Sequence, residues 1–205
     1  MRAQHGILLT VAAIALTAAP AQAQWVVTPY LGINLAGDAE FRRGGPGVSV
    51  AHFDGLLGFE LDVERYNHFY KDKNVTGLVE NNCGVGPANM ACTDLNTDAI
   101  GYMGNVVTPI RITGAKNWRP YAAAGLGVIH SWLTDPSNTV ADTNQNDFAF
   151  NFGGGVTYSL SKRVGLRGDV RYFRALVDEN KREGFYFKDY DFLRVTVGVT
   201  FGSPR

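Results

Sequence analysis

Cysteine is scarce in this chain, two among 205 residues, and net charge is absent, with 19 Lys+Arg against 19 Asp+Glu. The charge balance removes the positive field that nucleic-acid binding requires and gives no reason to invoke a polyanionic partner. Beyond the first 23 residues, no apolar run approaches the ~20 residues that a membrane-spanning helix needs. No stretch keeps a 3.6-residue apolar period either, so no helix is expected. Low-complexity runs are missing, yet Gly is abundant at 24 residues, beside 12 Phe and 9 Tyr. That combination suits strands with tight neighbours in one domain large enough for a full core.

The amino terminus has its own character. Arg2 leads into the apolar stretch Ile7 to Leu16, which closes with Ala21-Gln22-Ala23, a small-x-small cleavage signature. Residues 1–23 are thus expected to be a secretory signal peptide, with 24–205 as the mature domain. An amphipathic first helix is excluded, because Ile7 to Leu16 has no polar face. Removing Arg2 leaves 18 basic and 19 acidic groups, a mature charge of minus one. Export places Cys83 and Cys92 in an oxidising compartment, with eight residues between them in a Gly/Asn-rich stretch. A local disulfide is expected. Half of a metal site is the competing reading, and it lacks a nearby His or further Cys to complete four ligands.

What the mature chain does contain is period-two alternation. Phe148, Phe150, Phe152, Gly154, Val156 and Tyr158 alternate with Ala149, Asn151, Gly153, Gly155, Thr157 and Ser159. The stretches Trp25–Ala36, Val164–Tyr172 and Leu193–Phe201 behave alike, and weaker alternation runs through 48–53, 57–69, 100–112 and 121–132. Eight strands result, joined by connections that alternate between medium or long (37–47, 70–98, 133–147, 176–189) and short (54–55, 113–119, 160–162). That asymmetry describes an antiparallel up-and-down meander with both termini at the short-turn end.

Alternation alone does not say which face is wet. Glu60, Asp62 and Glu64 share one face of the third strand with Gly58, and Arg167, Asp169 and Arg171 share one face of the seventh. Strands three and seven of eight lie across a barrel from each other. Counting from strand starts puts Glu60 level with Arg167 and Glu64 level with Arg171. Opposite charges at matched heights suit an interior network, to which Arg194 also belongs, because pairing offsets desolvation. A solvated outer face would predict more Lys. Gly125, Gly127, Gly153 and Gly155 would make room for the inward side chains, and Trp25, Trp118, Trp132, Tyr158, Tyr172 and Phe201 suit interfacial girdles.

The run Arg119-Pro120-Tyr121-Ala122-Ala123-Ala124-Gly125-Leu126-Gly127-Val128 is similar to the fifth-strand pattern of the OmpA/OmpX-like family of small outer-membrane β-barrels. Phe152-Gly153-Gly154-Gly155-Val156 followed by Val164 to Tyr172 resembles that family's sixth and seventh strands. The resemblance spans Gln24 to Phe201 and implies an all-β, eight-stranded transmembrane barrel in the bacterial outer membrane. It implies contact with outer-membrane lipid, and Phe201 as the closing aromatic read by the assembly machinery during insertion. Two departures stand out: Gly202 to Arg205 follow Phe201, and no peptidoglycan-binding domain follows the barrel.

Chemistry is thin on this scaffold, and no cofactor or metal is implied. His130 and Ser131 are adjacent, so on a strand they face opposite ways. The His-x-Ser spacing of the outer-membrane lipid A deacylases is absent. A set of His68, Ser131 and Glu64 is the remaining hydrolase candidate. Asp142 to Asp147 offers alternate oxygens but lacks the Gly and Glu of a calcium loop, so a solvated polar loop is expected there. Gly44-Gly45-Pro46-Gly47 lacks the Lys of a phosphate loop. Phe185, Tyr186 and Phe187 follow a mixed-charge run from Asp178 and are candidates for contact with an extracellular ligand, or else pack on neighbouring loops. The expected function is a non-enzymatic structural and surface-interaction role. A small pore, a hydrophobic-ligand conduit, a lipid-modifying hydrolase and a soluble lipocalin-like carrier are the alternatives.

Overall fold

The computed structural model describes residues 25–39, 44–54, 57–67, 96–114, 117–134, 143–176 and 190–202. Eight strands follow in chain order: β1 (Trp25–Gly37), β2 (Pro46–Asp54), β3 (Leu57–Tyr66), β4 (Asn96–Pro109), β5 (Trp118–Thr134), β6 (Thr143–Ser159), β7 (Val164–Leu176) and β8 (Tyr190–Phe201). Each pairs antiparallel with its sequence neighbours, and β1 pairs with β8 to close the barrel. Closure satisfies every edge, which a strand crossing an apolar medium requires. Val27 lies opposite Phe201, so both described ends of the chain sit at the rim that carries the short turns.

The period of two dictates the two faces. Along β3, Gly58, Glu60, Asp62, Glu64 and Tyr66 are buried, while Leu57, Phe59, Leu61, Val63 and Arg65 are exposed. Leu31, Ile33, Tyr102, Leu126, Phe148, Phe152, Val170 and Val197 join the outward set. Apolar side chains thus cover the outside and charged ones fill the inside, the inverse of a water-soluble barrel. Aromatic rings collect toward the strand ends: Trp25 packs at a tilt against His52 and Trp118 against Tyr158 at the short-turn rim, each at 4.8 Å between centroids. His130 and Trp132 stand together toward the opposite rim.

Several boundaries differ from the sequence expectation. The stretch expected as a polar loop at 142–147 is mostly strand, because β6 starts at Thr143 and Asp147 is buried against the lumen. Its polar residues hid the strand: Gln145 donates to Asp147 and Asn146 bonds His130, so internal partners take the place of water. β4 begins at Asn96 rather than at 100 and ends at Pro109, after which Ile110 to Gly114 turn back. At the other rim β1 ends on Gly37, whose φ of +99° and close approach to the Asp191 carbonyl exclude a Cβ.

Candidate functional site

Three layers of side chains fill the lumen. Nearest the short turns, Phe53 packs against Val107, Tyr121 and Ala123. Nearest the long connections, Ala39, Tyr66, Met103, Ile129, Phe173, Tyr190 and Phe192 form an apolar layer in which Phe173 and Phe192 stack at 4.9 Å. Between them lies a charged layer built by β3, β7 and β8.

The alternation that exposes Leu61 sends Glu60, Asp62 and Glu64 inward, and the same parity on β7 sends in Arg167, Asp169 and Arg171. Two clusters result. In the first, Arg167 Nη1 meets Glu60 at 2.5 Å and its Nε donates to the Tyr121 hydroxyl at 2.6 Å. Arg171 reaches Glu60 at 2.7 Å and Asp169 at 2.8 Å, and Tyr121 donates to Asp169 at 2.5 Å. Asn105 donates to Glu60, and Asn151 to Asn105, extending the cluster to β4 and β6. In the second, Arg194 Nη1 bridges Asp62 at 3.2 Å and Glu64 at 2.5 Å, and Tyr30 donates to Asp62 at 2.9 Å. The Arg194 guanidinium lies 4.6 Å from the Phe173 ring centroid, so the apolar layer roofs the charged one.

All seven lumen charges named from the sequence therefore meet in one layer, but one pairing is corrected. Glu64, expected level with Arg171, pairs instead with Arg194, while Arg171 turns to Glu60 and Asp169. Barrel strands tilt and shear, so equal counts from strand starts are not equal heights. The geometry also recruits Tyr30, Ser49, Tyr121, Asn105 and Asn151, which the sequence reading passed over. Their signal was parity: Tyr30 and Tyr121 alternate with outward residues of β1 and β5 as the charged groups do on β3. Glycine supplies the room, since a Cβ at Gly155 would strike the Tyr121 phenol and one at Gly32 the Glu64 carboxylate.

This layer is a filled interior. The cavity beside Arg171, Arg194 and Thr28 measures about 10 Å3, space for about one water. Four carboxylates face three guanidiniums in the two clusters. Among the described residues, no three His, Cys, Asp or Glu side chains are placed to hold a metal ion. Ser131 is buried in the lumen, and Glu64 is engaged by Arg194. His68 lies outside the described residues, as do Cys83, Cys92, Phe185, Tyr186 and Phe187.

A closed eight-stranded barrel with an apolar outside and a charged inside invites comparison with known families. The model of the outer membrane protein beta-barrel domain matches residues 9–201. The chain belongs to that family. It is an outer-membrane barrel, located in the bacterial outer membrane. Among solved structures the barrel is similar to Neisserial surface protein A, at 16% identity with a TM-score of 0.54, covering 88% of this chain and 96% of that one. It is similar also to a major outer membrane protein of Thermus thermophilus, at 14% identity with a TM-score of 0.55, covering 86% and 98%. At these identities the likeness is one of fold. No curated protein matches the sequence.

Proposed function

We propose that this outer-membrane barrel is a non-enzymatic scaffold, which anchors its long connections at the cell surface for structural and partner-contact roles. The observation that carries the proposal is the filled lumen. Two apolar layers enclose an ion-paired layer with room for about one water, which opposes a pore or a ligand conduit. A hydrolase is disfavoured because Glu64, the acid of the candidate set, is buried in the lumen and held there by Arg194 and Tyr30.

The proposal extends to features outside the described residues. Residues 1–23 are taken as a cleaved export signal, Cys83 and Cys92 as a disulfide closing the β3–β4 connection, and Phe185 to Phe187 as the contact surface for an extracellular ligand. Short turns face the periplasm in barrels of this class, which puts the long connections outside. Phe201, exposed at the end of β8, would serve recognition by the assembly machinery.

Deleting Lys181 to Phe187 tests the scaffold role. Capture of a surface partner or adhesion should fall, while the folded barrel persists, because loop tips tolerate change. Mass spectrometry of outer-membrane lipids provides the counter-test. A lipid product that disappears in both the His68→Ala and Ser131→Ala strains would replace this proposal with an enzyme.

A further inference from the structure

The short-turn rim carries charge of one sign where the β4–β5 and β6–β7 turns meet. Arg111, Lys162 and Arg163 are all exposed there. None of the three forms an ion pair among the described residues, in contrast to Arg65, which pairs with Asp98 near the opposite rim. The two turns are tied to each other by the Ser159 amide, which donates to the Asn117 carbonyl at 2.9 Å, and the β4–β5 turn is closed at its base by the Ile110 amide, which donates to the Pro120 carbonyl at 2.8 Å. The Lys162-Arg163 tip is itself ordered. The Ser161 hydroxyl accepts the amides of Arg163 at 3.3 Å and Val164 at 3.1 Å, and Gly202 donates to the Arg163 carbonyl at 2.8 Å.

Exposed apolar side chains interleave with these cations. Ile110, Ile112, Trp118 and Leu160 are each at least half exposed, and they continue the lipid-facing surface of the barrel into the turns. A purely water-facing turn has no use for two isoleucines, a leucine and a tryptophan. An interfacial one does: apolar groups enter the acyl boundary, and cations at the same rim stand at headgroup level.

We propose that the joined β4–β5 and β6–β7 turns form a binding surface for anionic phospholipid headgroups, with Arg111 on one turn and Lys162 and Arg163 on the other as the cations that meet headgroup phosphates. Guanidinium groups match phosphate oxygens in a bidentate fork. Selection for the anionic class follows from charge. A zwitterionic headgroup brings an ammonium that the three cations repel, whereas a glycerol headgroup brings none. The surface depends on the barrel being in the membrane and not on what the long connections bind.

The test uses the purified full-length protein in mild detergent, mixed with equal amounts of phosphatidylglycerol and phosphatidylethanolamine, with retained lipid read by native mass spectrometry. The wild type should retain phosphatidylglycerol over phosphatidylethanolamine by about tenfold, given the attraction typical of a few basic residues at a lipid surface. The variant Arg111→Gln/Lys162→Gln/Arg163→Gln should fall to near parity, and Arg174→Gln near the other rim should leave the preference intact. A heat-modifiable band on a gel establishes that each variant is folded. Equal retention of both lipids by the wild type overturns the proposal, as does an unchanged preference in the folded triple variant. So does co-sedimentation with cell-wall fragments that the triple variant loses, if lipid preference is absent.

Discussion

Arg194 stands between Asp62 and Glu64 with almost no access to solvent, and Tyr30 is the neighbouring neutral donor to both carboxylates. Replacing the arginine by an apolar side chain of similar length leaves two buried carboxylates facing each other without a cation. Breaking a buried pair in this way typically costs about 3–5 kcal/mol. Arg194→Met is therefore expected to lower the urea midpoint for unfolding from lipid vesicles. Adding Asp62→Asn and Glu64→Gln to the same chain should recover most of the loss, because the neutral amides no longer need the guanidinium. If the triple variant is no more stable than Arg194→Met, charge is not what holds this layer. These partners were half legible in the sequence. Parity alone places Asp62, Glu64 and Arg194 indoors, but which arginine meets which acid depends on stagger between strands that are distant in the chain.

At the scale of the strand, β3 shows the two-faced pattern most plainly, with Leu61 exposed between Glu60 and Asp62. Cysteines at Leu61 and Val197 should react with a lipid-phase probe, and cysteines at Asp62 and Thr196 should not. Labelling at Asp62 with none at Leu61 would invert the barrel. The same geometry predicts that Leu61→Arg, near the middle of the strand on the lipid side, destabilises the barrel by about 2–4 kcal/mol in a vesicle folding titration. Strand existence was legible wherever large apolar residues recur every second position, as in Phe148 to Tyr158. The start of β6 was not legible, because Asn144, Gln145 and Asn146 carry no apolar beat; cross-strand bonding, such as His130 to Asn146, makes that segment a strand.

For the whole molecule, closure and filling are the decisive properties. A closed barrel with its interior bonded to itself should migrate as a compact, detergent-resistant species until boiled. In a planar bilayer it should pass no steady current. Removing rings from the outer apolar layer, as in Phe173→Ala/Phe192→Ala, should still give no steady conductance, because Arg167, Arg171 and Arg194 and their acids span the lumen beneath. Steady current from the wild type would refute occlusion, and current from the double variant would show the charged layer to be permeable on its own.

The sequence by itself determined the strand count, the two-faced character of each strand and the set of charges that point inward. Period-two alternation is local, and burial follows from it once one face is apolar throughout. Only the tertiary structure decided how those charges are partnered, that Tyr30, Tyr121, Asn105 and Asn151 complete the layer, and that Ser159 of one turn binds Asn117 of the next. Each of these depends on register and shear around a closed sheet, where residues more than a hundred positions apart, such as Glu60 and Arg167, are brought to 2.5 Å. No pattern within a single strand encodes that distance.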